Sequence, residues 1–284
     1  MRRLDGFMSL IDEVKRLALM EDIDYVGVAS IDRFKNAPDG YKPNDILESC
    51  RSIISLGIRV GSGVKAANQK AYSGLRHCIY IYMNFGYIIL NSKLDLTALR
   101  ISRLLERKGY VSIPIPASRP SDPYELKGVF SHRHAAVAAG LGEFGWNGLL
   151  ITPDAGSKVR LSSILTEAEL EPSPMYSGDK LCRRERCNVC ISACPTNAID
   201  RSEYVEVEIG GKIFKYARIN KTLCRYGASG LIRKALGRQD IEIPKNPTSE
   251  DYLKALEMEN PWQKMERAAS MCGRCMINCP APIK

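Results

Sequence analysis

Nowhere in its 284 residues does the chain hold a run approaching the 18 or so consecutive apolar residues of a membrane span. Arg2-Arg3 leads into Leu4-Asp5-Gly6 and an amphipathic segment, not into the apolar core of a secretory signal. These absences predict a cytoplasmic protein with no membrane-spanning segment. Low-complexity tracts and internal repeats, apart from one paired cysteine pattern, are also missing. The length is then available for one or two ordinary domains with a real hydrophobic core. Cysteine is scarce upstream of Pro172, where only Cys50 and Cys78 occur, both in apolar surroundings that suit small buried hydrophobes.

The remaining cysteines are concentrated. Cys182, Cys187, Cys190 and Cys194 precede Pro195, Cys272, Cys275 and Cys279 precede Pro280, and Cys224 lies between the runs. The spacings C-x4-C-x2-C-x3-C-P and C-x2-C-x3-C-P are close to the bacterial ferredoxin run, in which one short loop wraps three thiolates around a cubane and the fourth departs to a second cluster. Proline after the last cysteine turns the chain away, since it fixes φ and has no N–H. The pattern predicts two [4Fe–4S] clusters. A zinc site on Cys187, Cys190, Cys272 and Cys275 is the competing reading, and it strands Cys182, Cys194, Cys224 and Cys279. Reduced thiols and oxygen-labile clusters suit the cytoplasm of a low-potential setting.

The formal net charge is +9. Two cubanes at about −2 each bring it to about +5, so a basic surface remains. Arg183, Arg184 and Arg186 fit three roles: docking an acidic ferredoxin or flavodoxin, touching RNA phosphate, or forming a solvated loop beside a negative cluster.

Residues 7–20 place apolar side chains at helical spacing, and Tyr25 to Ala29 and Ser52 to Val60 read as strands. Tyr72 to Lys108 reads as helix in two pieces, broken near Asn91 to Asp95 and stopped by Gly109. Tyr72, Tyr80, Tyr82 and Tyr87 are either core or cavity lining. Strand Tyr110 to Ile115 runs into a proline-rich loop. Leu149 to Thr152 and Val159 to Leu165 read as a hairpin. A domain boundary falls at Glu171-Pro-Ser-Pro, giving domains 1–172 and 173–284. Beyond it, Tyr204 to Ile209 and Lys212 to Ala217 form a hairpin about Gly210-Gly211, and helices follow around 228–237 and 249–269.

Residues 131–150 combine a helix of small residues with a glycine-rich continuation, Ala139-Gly-Leu-Gly-Glu-Phe-Gly-Trp-Asn-Gly. Small residues let something large approach the backbone. Gly140, Gly142 and Gly145 spell G-x-G-x-x-G, but the motif ends a helix instead of opening one, which argues against a dinucleotide site.

With Leu149-Leu-Ile-Thr-Pro-Asp-Ala-Gly-Ser and the cysteine series behind it, this stretch resembles the epoxyqueuosine reductases and the corrinoid-dependent reductive dehalogenases. The resemblance implies an α+β protein: a nitroreductase-like α/β/α cobalamin-binding domain followed by a ferredoxin-like domain with two cubanes. It implies a corrinoid held near Gly140, Gly142, Trp146, Asn147 and Ser157, with FMN as the alternative. The Asp-x-His-x-x-Gly pattern of proteins that ligate cobalt through histidine is absent, in agreement with this family's base-off mode.

Where that family carries an acidic proton donor, ungapped alignment puts Leu126, so Asp122, Glu125, His132 and His134 are the nearby substitutes. The tRNA-reading helical repeats that follow the clusters in the family have no counterpart in the sequence, and specific tRNA binding is therefore not expected. Together with the two-cluster ferredoxin arrangement, the resemblance pairs Cys182, Cys187 and Cys190 with Cys279, and Cys194 with Cys272, Cys275 and Cys224. A reductase fed by a ferredoxin or flavodoxin and acting on an unidentified, small substrate is the leading expectation. A tRNA epoxyqueuosine reductase and a non-enzymatic electron-transfer partner of another corrinoid protein are the alternatives.

Overall fold

The computed structural model describes residues 8–118, 127–231, 242–259 and 271–282. The fold is α+β and is organised on a four-stranded antiparallel sheet. Its strands are β1 (Tyr25–Ser30), β2 (Ser52–Arg59), β3 (Ser112–Ile115) and β6 (Val159–Thr166), in the order β1-β2-β6-β3. β2 and β6 are central and largely buried on both faces, and their sequences are accordingly apolar residues mixed with small serines and a threonine, Arg59 and Arg160 apart. Pro114 lies in β3, an edge strand, where its missing N–H costs the ladder nothing.

Alternation along the strands builds two cores. Ile54, Leu56 and Ile164 face α1 (Leu10–Met20) and α5 (Ile89–Arg107), meeting Val14, Ala18, Leu94, Ala98, Ile101 and Leu105. Ile53 and Leu165 face the opposite way, onto Ala135 to Ala139 at α6 (His132–Ala138). The sheet is thus sandwiched between helices. Alanines on α6 serve close approach of helix to sheet, and each large aliphatic buried here stabilises by about 1.5–3 kcal/mol.

Helix α1 starts at Ser9, whose hydroxyl accepts the Asp12 N–H. The helical region from Tyr72 to Lys108 breaks elsewhere than the sequence suggests. Residues 73–78 separate α3 (Ser62–Tyr72) from α4 (Ile79–Met83), a π-helical turn occupies Asn84–Ile88, and α5 runs unbroken through 91–95. Asn91 and Asp95 do not break the helix because each has a partner beyond it: Asn91 accepts from Arg160 Nε and Asp95 from the Ala117 N–H.

The expected hairpin of 149–152 with 159–165 does not form. β5 (Leu150–Ile151) pairs instead with β4 (Glu143–Phe144), the Thr152–Gly156 bridge closes a tight turn, and β6 joins the central sheet. The later hairpin is as expected, with β7 (Ile199–Ile209) and β8 (Lys212–Ile219) joined by Gly210 and Gly211, both at positive φ. Its apolar side packs Val205, Val207, Phe214 and Tyr216 onto the α6 core. α2 (Pro43–Ile46), α7 (Val189–Ser192), α8 (Lys221–Ala228), α9 (Ser249–Glu257) and α10 (Arg274–Ile277) complete the described α-helices. The expected helices at 228–237 and 249–269 fall partly outside the described residues; within them, α8 ends at Ala228 and α9 at Glu257.

Candidate functional site

The cysteines converge in two groups. Cys182, Cys187, Cys190 and Cys279 line one small cavity, with Trp146, Asn147 and Pro280. Burial, followed by the mutual repulsion of these sulfurs, pushes the Cys190 thiol up to about 11. Cys182 is raised for the same reasons, against a hydrogen bond from the Trp146 backbone N–H to its sulfur at 3.2 Å.

Cys194 acts in the same way on Cys224, Cys272 and Cys275. Burial raises Cys224 to about 11, with Cys272 and Cys194 adding to the shift, and it raises Cys275 well above the usual thiol range, with Cys272, Cys224, Cys194 and Cys190 adding. The Ala198 N–H donates to Cys194 Sγ at 3.2 Å. The groups adjoin where Cys190 meets Cys275. Sulfurs that oppose one another's ionisation are costly to hold as thiolates unless a positive centre sits among them. Among the described residues, no three Cys, His, Asp or Glu side chains close on a point as a single metal ion requires.

Local structure delivers these sulfurs. α7 carries Cys190 and α10 carries Cys275, while Cys224 sits on α8, capped by Asn220 accepting the Leu223 N–H. Gly273 takes φ +61 between Cys272 and Arg274, and an added Cβ would lie 2.1 Å from the Tyr82 hydroxyl. The last cysteine loop is pinned from the sheet-bearing half. Asn68 Nδ2 donates to Cys272 O at 3.0 Å, Asn147 Nδ2 to Cys275 O at 3.2 Å, Ser157 Oγ to Met276 O at 2.9 Å and Lys158 Nζ to Cys279 O at 3.0 Å. Sequence reasoning missed Asn68 and Lys158 and named Tyr82 only as core or cavity lining, because no local signal links them to cysteines more than a hundred residues away.

A second cavity, of about 1040 Å³, opens between α6, β6 and α8. That is the upper end of the size range of ligand sites. Its apolar walls include Phe130, Leu149, Leu150, Leu161 and Met276, and its cations include Arg133 and Arg160. Cys224 lies on this wall, so its exposure is to the cavity while protein surrounds its other sides.

The residues expected at a cofactor divide among these places. Ser157 lines the large cavity, Trp146 and Asn147 line the small one, and Gly140 and Gly142 line neither. Those glycines serve chain packing, since an added Cβ would meet Pro174 O at 2.0 Å and Ile151 O at 1.9 Å. Of the tyrosines, Tyr87 lines the large cavity, Tyr82 is core and Tyr80 is exposed.

Among the candidate proton donors, His132 lines the large cavity; its Nε2 donates to Pro116 O at 3.0 Å and its Nδ1 accepts from Ser163 Oγ at 2.9 Å. Burial lowers its pKa. His134 is turned away, with Nδ1 at 2.5 Å from Ser131 Oγ, its ring against Phe144 and Tyr216, and its pKa pushed down to about 3 by burial and then by Arg133. Asp122, Glu125 and Leu126 lie outside the described residues. Arg184 stacks over Trp146 at 4.8 Å and donates to Arg201 O.

The site is therefore that of an α+β protein with two adjoining groups of four cysteines, one of which touches a large cavity. No family model matches the chain. The epoxyqueuosine reductase of Listeria monocytogenes serovar 1/2a (strain ATCC BAA-679 / EGD-e) is 32% identical over 160 residues, covering 55% of this chain and 38% of that protein. A solved epoxyqueuosine reductase from Streptococcus thermophilus superposes with a TM-score of 0.50 at 18% identity, covering 96% of this chain and 66% of that one. A reductive dehalogenase whose structure suggests a mechanism for B12-dependent dehalogenation gives 0.56 at 15% identity, covering 98% and 39%. The chain spans about two fifths of the length of the Listeria relative. Relatives and structures consistently point to the epoxyqueuosine reductase and reductive dehalogenase superfamily.

Among the described residues, no helix is long and apolar enough to cross a membrane.

Proposed function

We propose that the protein is an iron–sulfur, corrinoid-dependent reductase acting on a small molecule, with residues 1–172 holding the corrinoid and 173–284 forming a ferredoxin-like domain. Cys182, Cys187, Cys190 and Cys279 would hold one [4Fe–4S] cluster, and Cys194, Cys224, Cys272 and Cys275 the other. The observation that carries this reading is the position of Cys224: it belongs to the second group of thiols and also lines the 1040 Å³ cavity. Soft sulfur donors in fours suit cubanes, and the backbone N–H groups of Trp146 and Ala198 aimed at sulfur suit the negative charge that such clusters place there. A corrinoid held in the cavity would supply low-valent cobalt as the reductant of substrate.

The chain's own residues do the rest. The two thiol groups form a path that leads from the loop bearing Arg183 to the cavity, and a ferredoxin or flavodoxin is the class of donor such a path accepts. Phe130, Leu149, Leu150 and Leu161 exclude water from the cavity wall, while Ser157 ties that wall to the last cysteine loop. His132 faces the cavity with its Nε2 proton committed to Pro116 O, which fixes the ring's tautomer and orientation.

Anaerobic reconstitution with iron and sulfide, followed by titration with cob(II)alamin watched by absorbance and EPR, tests the reading. Near-stoichiometric binding with a base-off cobalt signal is expected. Two clusters with no corrinoid binding would instead favour an electron-transfer partner of another protein.

A further inference from the structure

The stretch from Arg133 to Glu143 touches both thiol groups with opposite charges. Arg133, on α6, lies at the wall of the large cavity alongside Cys224, close enough for guanidinium and sulfur to attract. Its guanidinium donates to the Gly148 carbonyl and sits 5.9 Å over the Tyr216 ring. Neither partner carries a negative charge, so a cluster held by the second thiol group would be the anionic counterpart for a cation that burial makes expensive to hold. Glu143, on β4, turns to the first group. Its Oε1 accepts the backbone N–H of Leu181 at 2.6 Å and of Cys182 at 3.0 Å, which fixes a carboxylate beside the first cysteine of that group.

A nearby cation stabilises the reduced, more negative state of a cluster and raises its potential, while a carboxylate does the reverse, and both act strongly where water is scarce. Building on the cluster assignment above, we propose that Arg133 and Glu143 are positioning charges that set the two clusters apart in potential: Arg133 raises the cluster on the cavity side, and Glu143 lowers the one remote from it. An external low-potential donor, itself oxidised by one electron, would then reduce the remote cluster, and these two charges would favour onward passage of that electron to the cavity-side cluster. Arg274 adds to the positive side near Cys272, and Lys158 and Arg183 bring positive charge to the first group, so the test reads the shift that each residue causes.

The test is an EPR-monitored redox titration of the anaerobically reconstituted full chain, with iron content measured alongside. In Arg133→Gln, one midpoint potential should move negative and the other stay; Arg133→Lys, which keeps the charge, should stay near wild type. In Glu143→Gln the other midpoint should move positive, and the double variant should bring the two together. If Arg133→Gln does not fold, Arg133→Met, which keeps the length of the side chain and removes the charge, takes its place with the same expected direction. Potentials unmoved in the charge-removing variants, a shift of opposite sign, or both residues acting on the same cluster would overturn the proposal while leaving two intact cubanes. A wild-type chain that reconstitutes fewer than two cubanes would instead remove the assignment on which it rests.

Discussion

The backbone N–H of Trp146 donates to the sulfur of Cys182 across 3.2 Å, joining a loop of the sheet-bearing half to the first of the clustered cysteines. The same residue donates its indole N–H to Asp200 O at 3.0 Å and carries Arg184 on its ring. Trp146 is therefore a rivet between the sheet and both ends of the first cysteine loop. Trp146→Leu keeps the backbone bond and loses the other two contacts. A loss of about 1–2 kcal/mol is expected, read as a lower urea midpoint, together with faster loss of iron from reconstituted protein. An unchanged midpoint would show that the backbone contact suffices.

Gly140 offers a cleaner test of packing. Its φ of +78 is nearly that of Gly211 at +77, but a Cβ at Gly140 would collide with Pro174 O, whereas one at Gly211 meets nothing within 4 Å. Gly211→Ala then reports backbone strain alone, about 1 kcal/mol. Gly140→Ala should cost at least about 2 kcal/mol more, because the neighbour is backbone that cannot step aside. Equal losses in the two variants would mean that the 171–175 loop yields freely.

The buried histidine predicts a pH effect with a definite sign. His134 has a pKa of about 3 in the folded protein, against an ordinary 6.5. Between those values the unfolded chain binds the proton that the folded chain refuses. The stability contributed by neutral His134 is thus complete above about pH 6.5 and is lost as pH falls towards 3. His132 is shifted in the same direction. Urea midpoints at about pH 7.5 and about pH 5 should fall more for wild type than for His134→Gln, which cannot be protonated. Parallel falls would contradict the burial of that ring.

The sheet strands were legible because burial on both faces leaves runs rich in β-branched and aliphatic residues, as in Ser52 to Arg59, and the Gly210-Gly211 hairpin because that turn chemistry fits. Asn91 and Asp95 misled because polar residues in a helix look like breaks until their partners, Arg160 and the Ala117 N–H, are seen. The concentration of cysteines beyond Pro172 was plain in the sequence, and the grouping proposed for them rests on spacing and resemblance together. The cavity was not, since its wall is drawn from Phe130, Arg160 and Cys224, positions that no period connects. Gly140 and Gly142 suggested a cofactor face; the same lack of a side chain lets them approach their own backbone instead.

The grouping of the cysteines is the central claim, and Cys224→Ala set beside Cys279→Ala tests it most directly. Iron analysis and EPR of the two reconstituted variants should show that each loses or alters one cubane and that the two losses concern different clusters: Cys224→Ala the one shared with Cys272 and Cys275, Cys279→Ala the one shared with Cys182, Cys187 and Cys190. Full, unaltered cubane content in Cys224→Ala, or the same cluster disturbed in both variants, would contradict the account.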